Sequence, residues 1–247
     1  ENYSITFRNV SFKYPGTNRY ALQGVNLHIK QGEKIVIIGE NGSGKTTFIN
    51  LLLGCFSSYT GNILIDGKEI CNVYDEIRRN CSVVFQDFLK LQLSIKDNIF
   101  LEQSSLFEEK QIEEQVYFIG NLKNGINTVL GQLEEGGIEL SGGEWQLIAI
   151  LRAMVKTNKK IIVMDEPTSY LDSKKEDWFY ATLLEIPKDM TVIIVSHRLS
   201  VAKLCDRIVL FKKGRIETMG THEELIENSE EYKRMYFSQK DMYDINS

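Results

Sequence analysis

The sequence predicts an α/β domain with a parallel sheet at its centre. Three strand-sized runs, at 34–39, 161–164 and 191–196, are almost entirely apolar. Runs of this kind are typical of strands that are buried on both faces of a parallel sheet. A helical pattern follows the first run, and another separates the second run from the third. Strands that alternate with helices in this way favour a parallel sheet.

The composition is that of an ordinary globular protein. The chain has 247 residues, of which 43% are hydrophobic and 26% are charged, so it can form one large domain or two small ones. Its longest apolar runs are strand-sized, too short to span a bilayer. The net charge of −5 argues against broad nucleic-acid binding. The 4 cysteines have no CxxC spacing, and we expect them to be reduced and buried, as in a cytosolic protein.

The first third of the chain shows two further strands and a helix. Residues 5–14 and 21–29 alternate between apolar and polar side chains, as half-buried strands do, and the turn-like PGTN at 15–18 separates them. After the first apolar run, residues 45–54 predict a helix that stops at Gly54.

The rest of the chain divides into a helical stretch and a β-rich end. The interval 87–155 contains no run comparable to the apolar strands and has much helical patterning, so it is predicted to be a helical insertion. Residues 207–220 predict a hairpin that turns at Lys213 and Gly214. The tail from residue 221 onwards is polar and helical in pattern.

A glycine-rich loop predicts phosphate binding. Residues 39–46, GENGSGKT, match G-x-x-x-x-G-K-[ST] between a predicted strand and a predicted helix. Its glycines let backbone N–H groups close on phosphate oxygens, and the helix N-terminus adds unpaired amides. Lys45 should reach the β and γ phosphates, and the Thr46 hydroxyl should ligate Mg²⁺. The predicted nucleotide-binding residues of this P-loop are Gly39, Asn41, Gly42, Ser43, Gly44, Lys45, Thr46 and Thr47.

Two carboxylates follow the second apolar strand. A P-loop needs a carboxylate for the metal at the end of a neighbouring strand, and Asp165 follows the apolar run 161–164. Glu166 comes next, and a second carboxylate at the end of a buried strand has no obvious neutralising partner in the local sequence. Glu166 is well placed to be the general base for an attacking water, although a simple ion pair would also account for it.

Taken together, these residues resemble the nucleotide-binding domain of an ATP-binding cassette (ABC) transporter. The resemblance covers essentially the whole chain, because further motifs occur in the family's order. They are FKYPG at 12–16 (A-loop), VVFQD at 83–87 (Q-loop), LSGGE at 140–144 (signature), SYLD at 169–172 (D-loop) and VSHRLS at 195–200 (switch histidine). The resemblance implies a P-loop NTPase fold with a RecA-like parallel-sheet core, an antiparallel β subdomain and an inserted helical subdomain.

The resemblance also implies a division of the chain and a pair of ligands. One domain would cover 1–247, with the catalytic core and β subdomain formed by 1–86 and 156–247 and the helical signature subdomain by 87–155. The ligands would be ATP and Mg²⁺, with Thr46, Gln86 and Asp165 as the residues at the metal.

Roles for single residues follow from the same resemblance. Gln86 would contact Mg²⁺ and the water, and would couple the helical region to a transmembrane partner. His197 would contact the γ-phosphate and orient the water together with Glu166. An aromatic ring would stack on adenine, and Tyr14, directly before Pro-Gly, is favoured over Tyr20.

The signature segment contains two adjacent glycines. Ser141 and Glu144 predict an N-cap with a capping box, but this local pattern does not explain Gly142 and Gly143. In ABC proteins the signature helix points at the γ-phosphate held by a second subunit. The resemblance therefore implies that Ser141, Gly142 and Gly143 contact a partner's ATP in a head-to-tail homo- or heterodimer, and that Asp172 reports across the dimer interface. Glu144 departs from the usual Gln and adds a negative charge near a phosphate site.

Two segments resemble exporter-type ABC proteins in particular. Residues 128–146, with Glu134 and Glu135, resemble the exporter X-loop region, and the tail 220–239 also looks like exporter chains. A transmembrane domain would then precede this domain in the same chain or belong to an associated one. The domain would work at the cytoplasmic face of the cell membrane. The sequence EGGIELSGGEWQ at 135–146 is similar to the signature region of bacterial peptide exporters, including lantibiotic exporters.

A second class of function stays open at this point. Soluble ABC ATPases without a transporter act on nucleic acid or ribosomes, but usually carry two cassettes or a long coiled-coil insertion, and this chain has neither. An importer subunit is disfavoured by the exporter-like X-loop and tail. We therefore expect an ATPase that drives a membrane exporter and does not bind nucleic acid.

Overall fold

Two β-sheets form the framework of the domain. The computed structural model describes residues 3–101, 109–116, 119, 122, 124–131, 137–155 and 159–245. The strands are β1 (Ile5–Phe12), β2 (Leu22–Ile29), β3 (Lys34–Ile38), β4 (Thr60–Ile65), β5 (Lys68–Glu69), β6 (Cys81–Val84), β7 (Ile161–Asp165), β8 (Thr191–Val195), β9 (Arg207–Lys212) and β10 (Arg215–Gly220). The sheet orders are β2-β1-β4-β5 and β10-β9-β3-β8-β7-β6.

The larger sheet is the predicted parallel core. Strands β6, β7, β8, β3 and β9 run parallel, and β10 closes one edge as an antiparallel hairpin with β9. All five residues of β7 and of β8 are buried, which is the reason for their uninterrupted apolar sequence. The predicted hairpin over 207–220 is confirmed, because β9 and β10 pair from Arg215 and Lys212 outward.

The smaller sheet is antiparallel, as the resemblance implied. Strand β1 pairs with β2 on one side and with β4 on the other. Its alternating sequence places Ile5, Phe7 and Phe12 in the core, and the ring of Phe7 stacks on Phe48 of the following helix with centroids 4.3 Å apart. This packing fixes the smaller sheet against the helix that follows the P-loop.

Strands β4 and β6 are absent from the sequence-based prediction. Only the second half of β4 is buried, and its first half contains Thr60, Gly61 and Asn62. Strand β6 has four residues and begins with Cys81 and Ser82 at the edge of the parallel sheet. Short strands with polar residues give little periodic signal.

Helices pack on both faces of the parallel sheet. They are α1 (Lys45–Leu52), α2 (Tyr74–Asn80), α3 (Ile95–Ile99), α4 (Glu109–Gln115), α5 (Gly142–Met154), α6 (Ser173–Glu185), α7 (His222–Asn228) and α8 (Glu230–Ile245). Helix α1 is the predicted helix after the P-loop, and Gly54 follows its end with a φ of 71°. Helices α7 and α8 confirm the helical tail. In the described part of 87–155, β pairing is limited to two isolated bridges, Ser94 with Val129 and Leu130 with Ile138.

The expectation that all four cysteines are buried is wrong for two of them. Cys81 is buried and Cys205 is half-buried, and burial raises the pKa of both thiols to about 12. Cys55 and Cys71 are exposed, because they lie at the surface in short connections, Cys55 after α1 and Cys71 between β5 and α2. Within the residues that the structure describes, no helix combines the length and apolar character needed to cross a membrane.

Candidate nucleotide-binding site

A cleft of about 850 Å³ opens beside the loop between β3 and α1. The structure brings most of the predicted site residues to its wall, namely Tyr14, Gly39, Asn41, Gly42, Gly44, Lys45, Thr46, Thr47, Gln86, Asp165, Glu166 and His197. Ser43 lies behind this wall and is buried. Ser141, Gly142, Gly143 and Asp172 are not among the described residues that line the cleft.

The glycines of the P-loop differ in what they face. A Cβ at Gly39 would lie 2.2 Å from the carbonyl oxygen of Phe211, so the neighbouring strand β9 excludes any side chain there. Gly42 has a φ of 75° and no heavy atom within 4 Å of a Cβ placed on it, so its bare backbone borders the open cleft. The loop thus offers backbone N–H groups that side chains do not shield.

The Lys45 side chain is turned back into the P-loop. Its ammonium group donates to the carbonyl oxygens of Gly39 at 2.8 Å and Glu40 at 3.1 Å. Burial lowers the pKa of Lys45, and the charges of Glu166 and Asp165 oppose that shift. A buried ammonium with two carbonyl acceptors is well prepared to exchange one of them for a phosphate oxygen.

The Thr46 hydroxyl and the Asp165 carboxylate bring two hard oxygen donors close together. Thr46 Oγ1 donates to Asp165 Oδ2 at 3.2 Å. Burial raises the pKa of Asp165, and the hydrogen bond from Thr46 opposes that shift. Mg²⁺ usually takes one or two such protein oxygens and completes its shell with waters and substrate phosphates, so these residues fit it. No group of three or more His, Cys, Asp or Glu side chains suited to a metal occurs among the described residues.

The position of Asp165 corrects one expectation. Strand β7, which ends at Asp165, is not the neighbour of β3, because β8 lies between them. The contact between Thr46 and Asp165 therefore crosses the end of an intervening strand. At that end β8 remains paired with β3, because the amide of Ser196 donates to the carbonyl of Ile37 at 3.1 Å.

Glu166 and His197 form a close pair at the edge of the cleft. Glu166 Oε2 lies 2.7 Å from His197 Nδ1 and also accepts from the His197 amide at 3.3 Å. For a hydrogen bond to an ionised Glu166 carboxylate, Nδ1 of His197 must carry a proton. The other ring nitrogen, Nε2, is then an acceptor if the ring is neutral and a donor if the ring is an imidazolium. The backbone of Glu166 is left-handed, with a φ of 52°, and its amide donates to Val195 at 2.9 Å.

Both candidate adenine-stacking tyrosines lie on the cleft. The hydroxyl of Tyr14 is 2.9 Å from Thr47 Oγ1, which ties the ring to α1. The ring of Tyr20 carries the ammonium group of Lys13 above it, 4.2 Å from the centroid. One face of the Tyr20 ring is therefore already in contact with a cation.

The N-terminus of α5 has the predicted capping box. Ser141 Oγ accepts from the Glu144 amide at 3.3 Å, and Glu144 Oε2 accepts from the Ser141 amide at 2.7 Å. The carboxylate of Glu144 is thus turned back onto its own helix start. Asp172 likewise caps α6, where hydrogen bonds from the Lys175 backbone and side chain lower its pKa.

The two glycines of this helix start have different explanations. Gly143 is buried, and a Cβ there would lie 2.6 Å from the carbonyl oxygen of Tyr170. Packing against Tyr170 therefore requires a glycine at 143, for a reason that lies outside the local capping pattern. Gly142 is exposed, and the nearest atom to its Cβ position is a Tyr170 ring carbon at an ordinary 3.7 Å. Packing within the chain does not require a glycine at 142.

Gln146 is a site residue that sequence reasoning missed. It is fully buried, its Nε2 donates to the carbonyl of Glu166 at 3.1 Å, and its Oε1 accepts from the Tyr170 amide at 3.0 Å. The side chain thereby joins α5 to both ends of the segment that follows β7. The available signal was a lone Gln within the apolar run 145–151, because a buried amide must find partners.

The exporter-like X-loop pair, Glu134 and Glu135, lies outside the described residues.

Comparison with known proteins identifies the family. Residues 22–169 match the family model described as ABC transporter. The chain belongs to the ABC transporter family. It is an ATP-binding domain of that family, as the resemblance of the sequence motifs indicated. ATP-binding proteins of ABC transporters are ATPases.

Two curated relatives and one solved structure illustrate the similarity. The domain is 37% identical over 241 residues to the subtilin transport ATP-binding protein SpaT of Bacillus subtilis, covering 94% of this chain and 39% of SpaT. It is 41% identical over 247 residues to the alpha-hemolysin translocation ATP-binding protein HlyB of Escherichia coli, covering 97% of this chain and 34% of HlyB.

The solved structure is a bacterial Atm1-family ABC exporter with ATP bound. It has a TM-score of 0.85 and 31% identity, over 97% of this chain and 42% of that one. The chain thus spans about two-fifths or less of the length of each of these proteins.

Alanine at the two signature glycines should have unequal effects on stability. Gly143→Ala places a methyl group against the Tyr170 carbonyl and should lower the free energy of unfolding by about 1–3 kcal/mol. Gly142→Ala should change it by no more than about 0.5 kcal/mol, because its Cβ meets only ordinary contacts. Urea unfolding of the two variants beside the parent domain provides the comparison. Equal stability losses would contradict the assignment of Gly143 to packing.

Proposed function

We propose that this ABC transporter domain hydrolyses ATP as the motor of a membrane exporter. The observation that carries the proposal is the Glu166–His197 pair, which stands at the edge of the P-loop cleft with 2.7 Å between Oε2 and Nδ1. A carboxylate that is fixed by an imidazole beside a phosphate site is the arrangement needed to activate water for phosphoryl transfer.

The P-loop residues bind the phosphates of ATP in this proposal. Backbone N–H groups from Gly39 to Thr47 surround the β and γ phosphates, and Lys45 exchanges a carbonyl contact for a phosphate oxygen. Tyr14 stacks on adenine. Thr46, Asp165 and Gln86 would hold Mg²⁺, which would neutralise part of the phosphate charge.

The chemistry of this chain's own residues is proton transfer and orientation. His197 holds Glu166 Oε2 through its ring and its amide, which leaves Oε1 to accept a proton from water. The water oxygen bonds to the γ-phosphorus as the bond from that phosphorus to the bridging oxygen breaks, and ADP leaves with the electron pair. The second ring nitrogen of His197 is then directed at the γ-phosphate. As an imidazolium, the ring can donate one hydrogen bond to a γ-phosphate oxygen and another to Glu166.

The exposed start of α5 supplies the second half of another copy's site. Ser141 and Gly142 are exposed and are not among the described residues that line the chain's own cleft, while a helix N-terminus with bare backbone suits an approaching phosphate. We infer a head-to-tail dimer in which Ser141, Gly142 and Gly143 contact the ATP of the partner and Asp172 lies at the interface. Two ATP molecules are sandwiched between the copies.

Coupling to transport is assigned to the surface near Gln86. Phe85 and Leu89, on either side of Gln86 in the chain, are 43% and 71% exposed, and exposed apolar side chains are a feature of interaction surfaces. We infer that a transmembrane domain, in the same chain or an associated one, binds here at the cytoplasmic face of the membrane.

The class of transported substrate is inferred from relatives. SpaT is named for subtilin transport and HlyB for translocation of alpha-hemolysin, so we propose that the transported substrate is a peptide or protein. The alternative of a soluble ABC ATPase acting on nucleic acid or ribosomes is not favoured, because these relatives and the structural neighbour are named as transport proteins.

Loss of the Glu166 carboxylate should separate binding from hydrolysis. Glu166→Gln should lower the steady-state ATPase rate by roughly 10²-fold or more while leaving ATP affinity unchanged, because the amide cannot accept the proton. It should also accumulate an ATP-bound dimer. ATPase rates, nucleotide affinity and sedimentation decide the matter, and a rate within a few-fold of the parent would remove Glu166 from this role.

Lys45 should contact the ATP bound in its own chain, whereas Ser141 should contact the ATP bound in the partner. Lys45→Ala should abolish ATP binding by the monomeric domain, whereas Ser141→Ala should preserve it and impair only dimerisation and hydrolysis. Thr221→Ala is the matched control, because it removes the same kind of capping box from α7, at a similar cost of about 1 kcal/mol. Equal loss of monomer affinity in the Lys45 and Ser141 variants would argue against a site shared between two copies.

A further inference from the structure

The C-terminal helix α8 reaches the segment that carries His197. The side-chain amide of Gln239 makes two hydrogen bonds there: Nε2 donates to the carbonyl of His197 at 2.6 Å, and Oε1 accepts from the amide of Leu199 at 2.9 Å. One planar group therefore fixes the backbone on both sides of Arg198. Gln239 also lines the nucleotide cleft.

Helix α8 is anchored firmly enough to hold that segment in place. Tyr232 is fully buried, and its hydroxyl lies 2.7 Å from Nδ1 of His222 in the preceding helix. Tyr236, one turn further on, packs on the His222 ring with centroids 4.8 Å apart. Gln239 follows Tyr232 by seven residues, so the two side chains share a face of the helix. The amide of Gln239 is thus presented by a helix whose first half belongs to the core.

Gln239 supplies the hydrogen-bond acceptor that a backbone amide just after His197 needs. A 3₁₀ helix begins at Leu199, and no side chain at its N-cap, Arg198, bonds to its free amides. The first N–H groups of a helix need outside acceptors, and Gln239 Oε1 is the acceptor for Leu199. His197 is consequently held from two sides, by Glu166 through the ring and by Gln239 through the carbonyl.

We propose that Gln239 is a positioning residue for hydrolysis, acting through His197. By fixing the His197 backbone it keeps the imidazole on Glu166 and aimed at the γ-phosphate, which makes the C-terminal helix part of the hydrolytic machinery. Gln239 lies outside the stretch 22–169 that matches the family model. The inference rests on the proposed function, because it gives Gln239 a role only if His197 acts in hydrolysis.

The test compares Gln239→Leu with Lys233→Leu in the full chain. Lys233 lies on the same helix, where its ammonium pairs with Glu230 at 3.3 Å. Gln239→Leu should lower kcat for ATP about tenfold with KM within about twofold, because phosphate contacts are intact while the orientation of the base is lost. Lys233→Leu should leave both constants unchanged. An unchanged kcat in the Gln239 variant would overturn the proposal.

A double-mutant cycle with His197→Ala separates positioning from general stability. If Gln239 acts through His197, then Gln239→Leu should lower kcat little or not at all once the imidazole is gone. An equal further loss in that background would overturn the proposal, as would a loss of kcat matched by a lower melting temperature and a higher KM. Gln239→Glu, which keeps the acceptor for Leu199 and loses the donor to His197, should fall between the parent and Gln239→Leu.

Different variants test the proposed function and the role of Gln239. If the parent hydrolyses ATP and Glu166→Gln abolishes that activity, the proposed function stands whatever Gln239 does. If Gln239→Leu then retains the parent kcat, only the role of Gln239 is wrong.

Discussion

The site depends on how the chain is held at Glu166, directly after β7. A left-handed φ of 52° is uncommon for a residue with a side chain, and such a conformation costs of order 1–3 kcal/mol unless the surroundings impose it. Here they do: the amide bonds to Val195, the carbonyl accepts from Gln146, and the carboxylate accepts from His197. The sharp turn takes the carboxylate out of line with β7 and into the cleft, next to the residues that surround the phosphates.

The same contacts join the two surfaces that the proposed dimer would use. Gln146 belongs to α5, whose first turn packs through Gly143 on the Tyr170 carbonyl. Helix α5 therefore cannot shift against the segment 166–170 without breaking the buried bonds of Gln146. In the proposed dimer, a partner's ATP would bind at the start of α5. Its effect would pass through Gln146 to Glu166 of the chain that contributes this α5. His197 would be restrained independently by α8.

The sequence predicted the parts of this structure that depend on local pattern. Uninterrupted apolar strands identified the parallel core, and the spacing of GENGSGKT identified the loop that borders the cleft. Strand β6 was missed because four edge residues carry little signal. The order of β3, β8 and β7 depends on chain crossovers that no local pattern encodes. The close approach of Gly143 to Tyr170, and of Gln239 to a backbone 42 residues away, arises only once the elements have packed.

In the proposed dimer, one chain's cleft and another chain's α5 together form each ATP site, and mixing two inactive variants tests this arrangement most directly. Lys45→Ala spoils the cleft, and Ser141→Arg spoils the start of α5. A mixed dimer then has one site with both defects and one with neither. Equal mixing should restore roughly a quarter of the parent ATPase rate, since half of random dimers are mixed and each keeps one of two sites. A mixture that stays at the average of the two separate variants would contradict the account.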